Sequence, residues 1–137
     1  MKADEGRPAL DDLGRQTYIC LTTYRRDGRA VATPMQCVLD GDRLLVVTGA
    51  TTGKVKRLRH TARASIVACD MRGRPKKDAS TLEVAVAFVD PSEFVRADEL
   101  MKQKYGLPQR ILAPLRRRIE RLLGRNTETL WLELRAS

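Results

Sequence analysis

Aromatic residues make up only 4% of this 137-residue chain, which carries a single histidine and a single tryptophan. So thin an aromatic supply leaves few platforms on which bases could stack. No helix-turn-helix, zinc-finger or RNA-recognition pattern offsets that lack, so the sequence weighs against nucleic acid as a partner. The one histidine, His60, lies in an arginine-rich stretch, and a histidine-based zinc or iron centre has nothing to build on. Cys20, Cys37 and Cys69 are odd in number, widely spaced and embedded in apolar runs. They read as small buried thiols, not as disulfides or metal ligands. No apolar run approaches the roughly 18 residues of a spanning helix. The charged start, MKADEGRPALDD, lacks the apolar region of a signal peptide, so a soluble cytoplasmic protein is expected. The length suits one domain over residues 1–137, without repeats, low-complexity tracts or a linker.

Positive charge is abundant. The formal net charge is +9 and the sequence pI is near 10.0. The cations gather in three groups: Lys54, Lys56, Arg57, Arg59 and Arg63; Arg72, Arg74, Lys76 and Lys77; and Arg110, Arg116, Arg117, Arg118, Arg121 and Arg125. Such groups attract phosphates of any kind, whether in nucleic acid, a lipid headgroup or a polyanionic cofactor.

Along the chain, Thr17 to Tyr24 reads as a strand rich in β-branched and aromatic residues. Asp27-Gly28 then signals a tight hairpin. A second strand is expected over Arg29 to Leu39, with Thr33-Pro34 marking an edge, a bulge or a place where something approaches the backbone. Asp40-Gly41-Asp42 turns the chain into a strand ending at Thr48. Two further strands are expected at Arg63 to Met71 and Thr81 to Val89, the latter with a VAVAFV centre suggesting burial on both faces or a place tucked into a barrel. A helix from Pro91 stops at Gly106. A basic amphipathic helix follows over Arg110 to Leu123, and Thr127 to Arg135 closes as an alternating strand. Strands at this spacing, joined by tight turns and few helices, imply a mainly β fold: an antiparallel sheet closing into a small barrel.

The richest stretch is Val46 to Asp70. An apolar strand ends in Thr48, a small polar loop follows, and Lys54 opens a short basic helix, roughly Thr52 to His60, whose buried stripe is Val55 and Leu58. Hydroxyls of Thr48, Thr51 and Thr52, loose backbone N–H groups, a helix N-terminus and Lys54 thus meet at one point, where an anion such as phosphate would be favoured. A threonine-capped helix that binds nothing would read the same way locally. The nucleotide-binding P-loop does not fit: three residues, not four, separate Gly49 from Gly53, and Val55 stands where a magnesium-binding hydroxyl is needed.

LTTYRRDGRAVATPM (Leu21 to Met35), VVTGATTGKVKRLRH (Val46 to His60), CDMRGRP (Cys69 to Pro75) and the late KYG (Lys104 to Gly106) occur in an informative order. In these segments the chain resembles the pyridoxamine 5′-phosphate oxidase-like split β-barrel flavoproteins. Within them it is most similar to the actinobacterial group that uses the deazaflavin coenzyme F420. The resemblance implies an antiparallel split β-barrel of the FMN/F420-binding type and a homodimer with the cofactor at the subunit interface. It implies that Thr48 and Lys54 hold the cofactor phosphate, with Thr51, Thr52, Lys56 and Arg57 close enough to assist. It also implies that Ala32, Thr33, Pro34 and Met35 lie beside the ring system. Lys56, Arg57 and Arg59 would draw the deazaflavin's polyglutamate tail. Gly53 stands where the pyridoxamine phosphate oxidases themselves carry an arginine, and Gln36 and Cys37 where the related group often has an aromatic residue. The implied activity is hydride transfer from reduced F420 to an unsaturated small molecule. The alternatives are an FMN-binding or cofactor-sequestering protein without catalysis, and a basic nucleic-acid-associated module. No catalytic acid is singled out, since Tyr24, Tyr105 or a water could donate the accompanying proton, and no metal is expected.

Overall fold

In a computed structural model describing residues 9–49, 52–106 and 129–137, the Asp27-Gly28 pair closes the hairpin between strands β1 (Tyr18–Tyr24) and β2 (Ala30–Met35). Gly28 takes a φ of 87°, a region that costs glycine no Cβ clash, and its N–H donates to the Arg25 carbonyl at 2.9 Å. Pairing sets Ile19 against Met35 and Thr23 against Val31.

The single strand expected over Arg29 to Leu39 is two. β2 stops at Met35, and β3 (Val38–Asp40) starts after a break at Gln36 and Cys37. β3 pairs with β4 (Arg43–Gly49) through the Asp40-Gly41-Asp42 turn, where Gly41 has a φ of 62°. The sheet order is β2-β1-β5-β6-β7-β4-β3, with β5 (Arg63–Cys69), β6 (Leu82–Phe88) and β7 (Thr129–Ala136), and every pairing is antiparallel. The chain therefore leaves one edge of the seven-stranded sheet as β2 and enters the opposite edge as β3. Pro34 sits on an edge strand, the place open to a residue that cannot donate to a ladder.

The break between the edges is held by α3 (Phe94–Tyr105), which follows a 3₁₀ turn at Pro91–Glu93 and ends at Gly106. The Cys37 N–H donates to the Tyr105 hydroxyl at 3.0 Å, and that hydroxyl lies 2.8 Å from the Thr17 carbonyl. Lys104 Nζ donates to the carbonyls of Gly14, Gln16 and Cys37 at 2.6 to 2.8 Å. One ammonium thus satisfies three backbone acceptors at the end of α1 (residues 9–14 are helical) and at the break. Lys104→Met is expected to lower stability by about 2–4 kcal/mol in urea unfolding, because those carbonyls lose a charged donor. A loss below about 0.5 kcal/mol would contradict this role.

Inward-facing Ile19, Leu21, Val46, Ile66, Val84, Leu132 and Leu134 fill the main core, while Trp131 on the other side of β7 packs with Leu45, Ala97 and Met101 under α3. Two expectations need correction. Of the two readings of the fifth predicted strand, burial on both faces is the one that fails: Val84 and Val86 face the main core of the sheet, whereas Ala85 and Ala87 are exposed and Phe88 is 41% exposed. Two of the six residues in its apolar run, Ala85 and Ala87, are alanines, which tolerate water. The strand expected to reach Met71 ends at Cys69, because the Asp70 carboxylate accepts from the N–H groups of Arg72 and Arg74 at 2.9 and 3.0 Å and folds the chain into a turn. The Arg110 to Leu123 helix lies outside the described residues. All three cysteines are free and buried. Among the described residues no helix is long and apolar enough to cross a membrane.

Arg43 joins β3, β4, β7 and the 3₁₀ turn. Its guanidinium pairs with Asp40, Glu93 and Glu133 at 3.0, 2.8 and 2.8 Å, and Arg96 and Arg135 complete the network.

Candidate functional site

α2 (Gly53–His60) crosses one end of the barrel because Val55 and Leu58, one turn apart, are the positions it buries. Its cap residue, Thr52, is extended, and its hydroxyl makes no capping hydrogen bond to the helix. Thr52 Oγ1 instead lies 3.3 Å from Thr48 Oγ1, at the end of β4. The plain threonine cap that sequence leaves open is therefore not what forms. Two hydroxyls face each other at the strand end, and Thr48 is buried. Thr51 lies outside the described residues.

Lys54 is half-buried in the first turn of α2, and burial, then the nearby Arg57, push its pKa down. Arg57 folds back along the helix. Its Nε donates to Thr23 Oγ1 at 2.6 Å, and Thr23 is itself 1% exposed on the inner face of β1. Burial, and secondarily Arg25, lower the Arg57 pKa as well. The guanidinium passes so near Gly53 that a Cβ there would lie 2.8 Å from Nη1. Glycine at this position is thus what lets an arginine from one turn further along cover the start of the helix. Among the described residues, Arg25, Arg26, Lys54, Lys56 and Arg57 form no ion pair, whereas Arg29 beside them is paired with Asp27. Lys54 and Arg57, each with a second cation close by and no carboxylate partner among the described residues, mark a place with unmet demand for negative charge.

The other sequence-predicted residues divide. Lys56 and Arg57 open together onto a groove of about 490 Å³. Arg59 points elsewhere and stacks over Phe88 at 4.9 Å. Thr33 and Pro34 are half-buried on edge strand β2, whose far side no described strand pairs. Its outward backbone groups have no strand partner among the described residues. Met35 is buried in the main core, so only its backbone is available. The turn after β5 runs beside Pro34, so that a Cβ added at Gly73 would lie 3.4 Å from its Cδ. Tyr105 is committed to Thr17 and Cys37, and burial raises its pKa strongly, so it is a structural latch and not a proton donor. Tyr24 lines the groove.

Sequence reasoning did not single out Thr23, Arg25 and Arg26. Thr23 sits in an ordinary strand alternation and carries no local signal. The arginine pair, directly before the Asp27-Gly28 turn, was legible as a charge but not as a neighbour of α2.

Many solved structures share the fold, and three illustrate the range. They are the heme storage protein HutZ of Vibrio cholerae (14% identity, TM-score 0.64, covering 100% of this chain and 92% of that one), a conserved hypothetical protein of Mycobacterium tuberculosis (18%, 0.67, 94% and 78%), and an FAD-binding protein of Mesorhizobium loti (7%, 0.59, 95% and 88%). Identities this low bear on fold alone. No curated protein matches the chain in sequence. The pyridoxamine 5′-phosphate oxidase family, however, matches residues 7–121. With the antiparallel sheet whose two edges are one interrupted strand, that match spans nearly every element described above, and the chain belongs to the pyridoxamine 5′-phosphate oxidase family.

Proposed function

We propose that the protein is a coenzyme F420-dependent reductase that works as a homodimer and transfers a hydride to an unsaturated small molecule. The observation that carries this reading is the unneutralised cationic barrel end, where half-buried Lys54 and Arg57 lie at the start of α2 near the Thr48–Thr52 hydroxyl pair. Two hydroxyls, a lysine and a pinned guanidinium suit a phosphate, and Lys54, Thr48 and Thr52 would hold it. When bound, the reduced deazaflavin supplies the hydride.

The chain's own residues bind and orient. Thr33 and the open backbone of β2 would hold the ring edge, and Thr23 keeps the Arg57 guanidinium in place before any ligand arrives, so little side-chain entropy is lost on binding. The outward face of β2 and β1 presents exposed Ala30 and Ala32 beside half-buried Thr22. Such a flat, small-residue face suits the seating of a second subunit. The donor set favours a flavin-type cofactor over heme, since the chain's one histidine, His60, is exposed among cations and no buried imidazole is available as an axial ligand.

The test is oxidation of reduced F420 by the purified protein with a panel of α,β-unsaturated carbonyl compounds, followed by deazaflavin absorbance. Turnover above the protein-free rate is expected for at least one of them. The second reading, an FMN-binding or sequestering protein, is favoured by the commitment of the Tyr105 hydroxyl to Thr17 and Cys37, which leaves Tyr24 as the tyrosine that lines the groove. Tight FMN binding without any such turnover would establish it.

A further inference from the structure

α3 buries Ala97 and Met101 in the cluster around Trp131, and turns Val95, Asp98, Glu99 and Lys102 away from it. These four fall at i, i+3, i+4 and i+7, one face of the helix. With Phe94 on the same helix, and with Thr129 and Trp131 on β7, they line an open groove of about 340 Å³. Val95 is 73% exposed, more than any other large hydrophobic side chain among the described residues. On a chain of net charge +9 the rim of this groove is acidic: Asp98 pairs with Lys102 at 2.9 Å, and Glu99 has no ion pair among the described residues. Both ends of a chain segment meet here. Lys102 lies in the last turn of α3, and Thr129 is the first residue of β7. Residues 107–128, which connect the two, lie outside the described residues. Their sequence carries Ile111, Leu112, Leu115, Ile119, Leu122 and Leu123, and six arginines against Glu120 and Glu128.

We propose that this groove is the docking surface for the basic amphipathic stretch Arg110 to Leu123 of the same chain, with its apolar stripe against Phe94, Val95 and Trp131 and its arginines beside Asp98 and Glu99. Three observations carry this. Six large aliphatic residues on one stripe need an apolar surface to cover them, and the groove supplies one at the point where the segment leaves and rejoins the sheet. The covalent tether at both ends keeps the effective concentration of the segment high at this surface. The segment is strongly positive where the rim is negative, so the fields are complementary. Leu115, Ile119 and Leu122, at i, i+4 and i+7 after Pro114, are the anchors, since a proline interrupts the stripe before them. An anionic lipid surface would take the same arginines but would leave the groove and its acids uncovered.

The experiment is hydrogen exchange of the full chain, read by mass spectrometry without lipid at two protein concentrations. Amides of residues 110–123 are expected to exchange about a hundredfold or more below their intrinsic rates, equally at both concentrations. Val95→Lys takes away an apolar contact and sets a cation among arginines. It should lower that protection about tenfold or more and leave β4 and β7 as in wild type, because so exposed a residue does not hold the sheet together. Met71→Lys, at an exposed apolar residue outside the groove, is the control and should leave exchange of 110–123 unchanged. On the segment side, Leu115→Ser/Ile119→Ser should lower the protection as Val95→Lys does. The combined variant should lose less than the product of the two separate losses, since the changed groups touch one another. Exchange of 110–123 at intrinsic rates in wild type, equal protection in Val95→Lys and wild type, or the same loss in Met71→Lys would overturn the proposal. Protection that falls on dilution would place the segment on a second copy, and protection that appears only with phosphatidylglycerol vesicles would place it on lipid. Either result overturns docking within the chain.

Discussion

Arg43→Met is expected to destabilise the protein by about 3–5 kcal/mol, the cost of removing one partner from a buried ion pair and leaving the other charge unpaired. The Arg43 and Asp40 side chains are 12% and 11% exposed, and that of Glu133 is 19% exposed. Glu93 is 43% exposed and adds little. Burial alone pushes the carboxyls of Asp40 and Glu133 up, yet hydrogen bonds from Arg43, with help from Arg96 and Arg135, more than offset it and hold both below their ordinary values. The sign follows. A carboxylate with a depressed folded pKa contributes stability that is fully present above its unfolded value, about pH 4, and is lost as pH falls through the folded one. Arg43→Met should therefore lower the plateau and flatten the acid limb of the stability curve, its deficit against wild type shrinking as pH falls below about 4. Urea titrations from neutral pH down to about pH 3 read both effects. A variant within about 1 kcal/mol of wild type, with an unflattened acid limb, would show that the network is solvated and contributes little.

Lys54→Ala is expected to weaken binding of oxidised F420 by about tenfold or more, as a charge-assisted hydrogen bond to the cofactor phosphate is lost. Lys54 is half-buried and carries no ion pair in the described structure, so its removal strands no protein carboxylate and the fold should survive. Circular dichroism and a thermal melt alongside the titration check this. The same substitution separates the cofactor site from diffuse attraction to a basic protein. If the charge of the whole surface held the ligand, one lysine in 26 basic residues would be dispensable, and added salt would weaken variant and wild type alike. Unchanged affinity would remove Lys54 from the site.

Much of the fold was legible because its signals are local. Asp27-Gly28 and Asp40-Gly41-Asp42 fix their hairpins through backbone conformations that glycine adopts freely, and Gly106 stops α3 as expected. Val55 and Leu58 marked the buried stripe of α2. The break at Gln36 and Cys37 was not legible. What creates it is the hydroxyl of Tyr105 and the ammonium of Lys104, 67 to 68 residues away, and no local propensity reports that. The site divides along the same line. Thr48, Thr52 and Lys54 were visible because strand end, loop and helix start are consecutive in sequence. The pinning of Arg57 by Thr23, 34 residues earlier, needed the barrel to close first. The same holds for the groove that Arg25 and Arg26 complete. Gly53 looked in the sequence like the loss of a phosphate-binding arginine, whereas in three dimensions the space it leaves admits the guanidinium of Arg57.

The central claim is that the barrel end at Thr48, Thr52 and Lys54 holds the phosphate of a deazaflavin. A fluorescence titration of the purified protein with oxidised F420, run beside FMN at two salt concentrations, tests it most directly. Saturable binding of F420, tighter than FMN and persisting at the higher salt, is the predicted result. Binding of neither cofactor, or F420 binding that vanishes with salt as general attraction to a basic surface does, would contradict it.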